Sequence, residues 1–551
     1  MTTALQGREA TRHHKEHPQE SVVRSATLVS IAVFFSRATG LIREMVMARL
    51  FGAGFVYDAF LLGFRIPNLT RDLFAEGALS SAFVPSFTSV LAKKGRQEAA
   101  VLSNLVATAI VIIVGILCAL GMVFAPALVE LLAPGFHHVP GKFELAVTMT
   151  RIMFPFLLLV ALAAQAMGVL NACNRFGVPA MSSTFFNLGS VGFGLVAGFV
   201  LGPYLHIDKI TGMAVGIVLG GALQLVYQLP SLARLGFRFR PAVNWNHPEL
   251  RQIIHLMGPA IIGSAAVQIN VMVNTNFASR IPMNGPVSWL GYAFRFMQFP
   301  LGLFGVAIAS ATLPSISRSV AVGNMDEYRR TLSRSLGLVY LLTLPSSIGL
   351  ALLGRSMIGA IYEWGRFSVY DTNQTALALS CYAVGLTGYS ALKVVAPAFY
   401  ALNDARTPAL VSLASIVVNY FAASRMSEWL GFKGLALSTS TVALFGALVL
   451  FFLLWHRIQG LYGRDLLSSI LRITAASTVM AAVVYGSSTL INARMGAGHL
   501  AHLIDLVVSM PLGVAVFYYG CRLLRVKELE LAMRAMPDSI QRFYFKKITP
   551  N

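Results

Sequence analysis

Apolar runs of roughly 20 residues recur from one end of this chain to the other, and that is the length needed to cross the hydrocarbon core of a bilayer. VATAIVIIVGILCALGMVFAPALVELL (106–132) and LALSTSTVALFGALVLFFLLW (435–455) are the clearest cases. Of the 551 residues, 56% are hydrophobic and 12% charged, about half the charged share of an ordinary soluble domain. Inside lipid, every backbone N–H and C=O must be satisfied within the protein, which leaves helices or a closed barrel. The period-two alternation of barrel strands is missing. The expected fold is an all-α polytopic membrane protein.

About fourteen spans are expected. They lie near 24–50, 57–91, 100–133, 145–172, 179–202, 211–233, 249–279, 287–317, 328–362, 373–402, 408–424, 433–456, 468–490 and 499–522. Several exceed a perpendicular crossing and are expected to tilt, kink or extend past the membrane. The loops after even-numbered spans are rich in Lys and Arg: KKGR (93–96), RLGFRFR (234–240), RRTLSR (329–334) and WHRIQGLYGR (455–464). After odd-numbered spans, GAGFVYD (52–58) has none and PYLHIDK (203–209) has one. The positive-inside rule then places both termini in the cytoplasm. The formal net charge of +20 sits mostly in these loops and the tails. It is read as topogenic and lipid-attracting, with no nucleic-acid partner. The first residues are polar and lack a signal peptide's apolar core. Cys118, Cys173, Cys381 and Cys521 are scattered through apolar segments without metal-ligand spacing, so packing is their expected role.

The chain also echoes itself. FRIPNLTRDLFAEGALSSAFVPS (64–86) resembles FRFMQFPLGLFGVAIASATLPS (294–315), and LNACNRFGVPA (170–180) resembles LNDARTPA (402–409). Both pairs are about 230 residues apart, which makes a repeat of six spans. An even number of spans returns the chain to the same side, so the halves are expected to be parallel repeats. The expected organisation is a cytoplasmic tail (1–21), a first six-helix lobe (22–233), a second (234–456), spans 13 and 14 (457–525) and a basic cytoplasmic tail (526–551). Two lobes around a central site make the architecture of an alternating-access carrier.

FSRATGLIREMVMARLFG (35–52) carries Arg37, Arg43 and Arg49 where a membrane helix is expected. Arginine at mid-membrane costs roughly 2.5–3.5 kcal/mol on insertion scales, so it faces water, a partner or a ligand. Arg49 lies near the span end and can snorkel. In span 2, Arg65, Asn68, Asp72 and Glu76 share one helix face, Arg71 flanks it and Pro67 should kink it. A self-neutralising ladder is one reading of that face. The other is that surplus arginine awaits an external anion. Span 8 holds Arg295, seven residues after Ser288 and therefore on the same face. Guanidinium suits phosphate, because it is a planar fork of donors that stays charged.

FSRATGLIRE (35–44), FGAGFVYDAFLLGFRIPNL (51–69), LFAEGALSSAFVP (73–85) and RFMQFPLGLFGVAIASATLPSIS (295–317) resemble the MurJ/MviN family of lipid II flippases. That family belongs to the multidrug/oligosaccharidyl-lipid/polysaccharide exporter superfamily. The resemblance implies a bacterial inner-membrane transporter whose partners are membrane lipids and lipid II, a disaccharide-peptide on a pyrophosphate with a polyprenyl tail. It implies that Arg37, Arg43, Asn68, Arg71 and Arg295 bind substrate, and that Asp58, Glu76 and Ser288 form a gate or line the cavity. Spans 13 and 14 would make a groove for the tail. Phe294 and Gln298 stand where some members have acids, so no acidic partner is carried over for Arg295.

The alternative is a related exporter of another polyprenyl-pyrophosphate-linked oligosaccharide or of drugs. Drug antiporters need membrane acids, whereas arginines outnumber acids in spans 1 and 2. An enzyme is not expected: the sequence has no H-E-x-x-H, Walker A or nucleophile elbow, and no cofactor or metal is expected. Without an ATPase motif, transport is passive or coupled to an ion or to the membrane potential. The coupling ion is not named by the sequence.

Overall fold

The computed structural model describes residues 18–71, 79–461, 463–496 and 498–534. The expected tails therefore fall largely outside the described residues, as do Asp72 and Glu76. All regular structure among the described residues is helical. The first half contains α1 (Pro18–Phe51), α2 (Phe55–Arg71), α3 (Ser80–Lys93), α4 (Gly95–Val123), α5 (Ala125–Leu132), α6 (Lys142–Met153), α7 (Phe156–Ala172), α8 (Gly177–Leu195), α9 (Gly202–Leu205), α10 (Lys209–Val226) and α11 (Leu229–Arg234). The second contains α12 (Pro248–Arg280), α13 (Pro286–Pro300), α14 (Ala307–Ala321), α15 (Met325–Tyr362), α16 (Val369–Ala401), α17 (Arg406–Leu430), α18 (Phe432–Arg457), α19 (Gly463–Met495), α20 (His499–Leu523) and α21 (Lys527–Arg534).

Eleven helical segments among the described residues are long and apolar enough to cross a bilayer. They coincide with expected spans 3–6 and 8–14. Expected spans 1 and 7 fall within the continuous helices α1 and α12, and expected span 2 crosses positions 72–78, outside the described residues. Large apolar side chains face outward along these helices, such as Ile113, Ile116 and Leu120 on α4 and Val507 and Val514 on α20. On a soluble protein such surface would be a liability; against lipid it is what solvates the protein. This is a multi-pass membrane protein.

The chain groups into two compact units that interleave in sequence. The first is Met1–Val46, Gly63–Pro126 and Val147–Ile262; the second is Met47–Leu62, Ala127–Ala146 and Gly263–Asn551. Within the first unit, α8 and α10 are the most intimate pair. Gly212, Gly216 and Gly220 recur every four residues, so they share one face of α10. A Cβ on any of them would collide with the backbone of Gly198, Gly194 or Ser190 across the seam. Lipid gives no hydrophobic drive for helices to associate, so close approach through small residues supplies the contact instead. In the second unit α16 lies between α15 and α18, and α19 and α20 pack on each other and on α15. One end of this bundle is closed by Tyr328, Leu332, Val395, Phe399, Leu450 and Leu454.

The two echoes adopt matching geometry, each in its own unit. α7 and α16 are each followed, two residues on, by an asparagine with left-handed backbone, Asn174 at φ 58° and Asn403 at φ 57°. In each turn the next amide reaches back to close it: Arg175 N–H to the Leu170 carbonyl, and Asp404 N–H to that of Phe399. The structural register thus pairs Asn174 with Asn403 and Pro179 with Pro408. The leading Leu-Asn match that first shows the echo is one turn out of place. Pro85 and Pro314 lie at the same offset, inside α3 and α14.

Candidate functional site

Two of the residues expected to form a gate come together. Asp58 sits in the first turn of α2 and is fully buried. Its Oδ1 accepts the Ser288 backbone N–H at 2.9 Å and the Ser288 hydroxyl at 2.5 Å. Its Oδ2 accepts the Gly285 N–H at 2.9 Å. These donors are the otherwise unused amides at the start of α13, where the helix dipole favours an anion. Gly285 holds φ at 110°, a backbone that side chains resist, and Pro286 follows at the first helical position. The Trp289 indole N–H then reaches Asp371 Oδ1 at 2.9 Å. Asp371 closes a capping box with Ser368 at the start of α16.

The fourth donor was missed by sequence reasoning. Lys142, at the start of α6 and only 3% exposed, places Nζ 2.8 Å from Asp58 Oδ2. The ammonium also lies 4.5 Å from the centre of the Phe136 ring, a cation–π contact. A lone lysine in the basic-poor loop after span 3 was the signal available. Nearby, Asn276 Nδ2 donates to the Leu131 carbonyl at 2.7 Å. Segments 47–62 and 127–146 of the first half are thereby bound to 276–288 of the second.

The remaining site residues divide between the units. Arg37, Arg43, Asn68 and Arg71 belong to the first, and Arg295 to the second. Arg37 is exposed; Arg43, Asn68 and Arg71 are half-buried. The Arg43 guanidinium lies 5.4 Å from the Phe186 ring centre and 6.0 Å from that of Phe64, and Phe156 packs against both rings. The arginine is thus aimed by an aromatic wall. α1 passes Gly40 without a break. That glycine lies against the Asn187 amide, which donates to the Ser36 carbonyl at 3.1 Å. Arg49 is exposed near the end of α1. Its carbonyl accepts the Arg366 N–H at 3.0 Å. Arg295 is exposed on α13, two turns beyond buried Ser288. Phe294 beside it packs edge-on against Tyr382. Glu76 lies outside the described residues. After Pro300 the helix widens into a π turn, Leu301–Val306, a form found mostly at functional sites.

A family model described as "Lipid II flippase MurJ" matches residues 47–504. The chain belongs to the MurJ lipid II flippase family. The MurJ lipid II flippase of Burkholderia cenocepacia is 34% identical over 446 residues, covering 80% of this chain and 85% of the relative. A solved structure titled "Lipid II flippase MurJ, inward closed conformation" superposes with a TM-score of 0.74 at 25% identity, over 90% of this chain and 99% of that one. An inward-facing multidrug resistance MATE family transporter of the MOP superfamily superposes with a TM-score of 0.64 at 14% identity, over 77% of this chain and 94% of that one. The second likeness extends the shared fold beyond the MurJ family.

Proposed function

We propose that this protein is a transporter that moves lipid II from the inner to the outer leaflet of the bacterial cytoplasmic membrane, supplying peptidoglycan synthesis. Family membership is the observation that carries the reading. The two repeats act as lobes that alternate access to a central site. Arg37, Arg43, Asn68 and Arg71 from one half and Arg295 from the other contact the pyrophosphate, replacing its water with fixed donors. The aromatic support behind Arg43 favours this role, since a pre-aimed guanidinium loses less freedom on binding. Asp58, Ser288 and Lys142 are the latch at one end of the path. With both termini in the cytoplasm, that latch lies on the outer side. The C-terminal helices α19 and α20 take the polyprenyl tail.

The test is conditional depletion in the source cell, with labelled lipid-linked precursors followed by side of the membrane. Accumulation of lipid II on the inner leaflet, reversed by the wild-type gene, is expected. Normal arrival of precursor outside during depletion would overturn the assignment.

A further inference from the structure

We propose that His502, Glu363 and Asp505 form a proton-binding site that joins the two C-terminal helices to α15. The inference stands whatever the cargo is.

The site is built at helical spacing. Asp505 and His502 are three residues apart on α20 and both are fully buried. α15 presents Ser356, Gly359 and Glu363 to them, which are one face of that helix and its C-terminal cap. The Ser356 hydroxyl donates to Asp505 Oδ2 at 2.5 Å. Gly359 leaves room for the imidazole, which a Cβ there would overlap. Glu363 Oε2 lies 3.8 Å from His502 Nε2. From α19, the Ser488 hydroxyl reaches Asp505 Oδ2 at 2.8 Å, and Ser509 on α20 reaches Oδ1 at 2.7 Å.

The two halves of this array are satisfied differently. Asp505 accepts three hydroxyl protons, which suits a carboxylate. His502 has no hydrogen-bond partner on either ring nitrogen, and Glu363 Oε2 and His499 Nδ1 lack one too. Buried polar atoms left in this way are costly. A proton taken from water onto the His502–Glu363 pair offsets part of that cost by charge attraction. It occupies the imidazole lone pair and sets an imidazolium 3.8 Å from the Glu363 carboxylate, close enough for attraction between the charges. No other bond forms or breaks. The charged and titratable groups facing His502 are Glu363 and Arg355 from α15 and His499 and Asp505 from α20. The α19 groups at Asp505 and Ser509 are the hydroxyls of Ser488 and Ser487. Burial opposes the imidazolium most, Arg355 and His499 add to that, and Glu363 and Asp505 favour it. Ionisable chains of this kind within a membrane are characteristic of proton pathways.

The test uses the full chain in lipid nanodiscs with isotope-labelled histidine. The His502 ring signal is assigned by its loss in His502→Gln and followed between about pH 4 and 8, a range that spans the ordinary histidine value. One titration step is expected, and Glu363→Gln should move its midpoint to lower pH. Hydrogen exchange in 353–362 and 499–506, corrected for intrinsic rate, should slow on acidification in the wild type. It should become pH-independent in both variants. Glu363 is at a helix end and partly exposed, so its variant keeps the test open if His502→Gln fails to fold. A ring signal flat across the range, or a midpoint unmoved by Glu363→Gln, would overturn the proposal.

Discussion

Lys142 brings a full charge into a place that is 3% exposed, against an Asp58 side chain that is 1% exposed. Removing one member of such a pair strands the other, at a cost of roughly 3–5 kcal/mol. Lys142→Met should therefore lower the thermal unfolding midpoint sharply in detergent, and the double variant with Asp58→Asn should recover much of the loss. If single and double variants unfold alike, the ammonium is incidental to the latch. The arginines call for a different experiment, because their proposed partner is the cargo. Arg37→Ala, Arg43→Ala, Arg71→Ala and Arg295→Ala should each abolish flipping at normal membrane levels. Lys at these positions should rescue only in part, since it keeps the charge and loses the fork. Arg43→Lys also loses the flat face that lies against Phe64 and Phe186. Arg49→Ala should be mild. Growth and precursor flipping are the readouts, and full activity of Arg37→Ala combined with Arg295→Ala would sink the pyrophosphate assignment.

At the scale of helices, the seam between α8 and α10 is held by backbone approach. Gly216→Val should force the pair apart and cut folded yield, whereas Gly177→Ala, with open space around it, should be neutral. Equal yields would mean that the seam tolerates a gap. The turn between α16 and α17 depends on Asp404, which accepts the Arg406 and Thr407 N–H groups at 3.1 Å and the Thr407 hydroxyl at 2.8 Å. Those bonds to Thr407, with Arg457 adding attraction, hold its carboxyl below the usual range. A lowered folded value means the stabilisation is present above the ordinary carboxylate range and is lost as pH falls through that folded value. Asp404→Asn should therefore lower stability at neutral pH, where the wild type holds the carboxylate, and converge with the wild type as pH falls, which an unfolding profile against pH would check. The spans were legible in the sequence because lipid forbids anything else. The echo was legible too, but its register was not: Leu-Asn matched by letters, whereas left-handed asparagines matched by shape. Asp58 and Ser288 were found through resemblance. Lys142 was not, because its partner is 84 positions away and nothing local marks an ion pair.

For the molecule as a whole, the alternation of basic loops predicts that both ends face the cytoplasm. Reporters fused at residue 10 and residue 548 should be active only in their cytoplasmic form; activity outside would invert the topology and move the Asp58 latch to the inner face. Biosynthesis adds an order of events. α8 and α10 are joined by the short link 196–208, so their glycine seam closes over little chain and needs only those helices and the link itself. The Asn187 amide meets a carbonyl made 151 residues earlier, so α1 must wait for α8 to arrive. Asp58 waits longer still, for amides 227 and 230 residues downstream. More than half of the chain has been synthesised before Ser288 exists, and through that interval Lys142 is the one of Asp58's described partners already made. Nascent chains truncated before Ser288 should thus leave Asp58 more open to water, and its closure completes a joining of the two halves that earlier bonds such as Asn276 to Leu131 have begun.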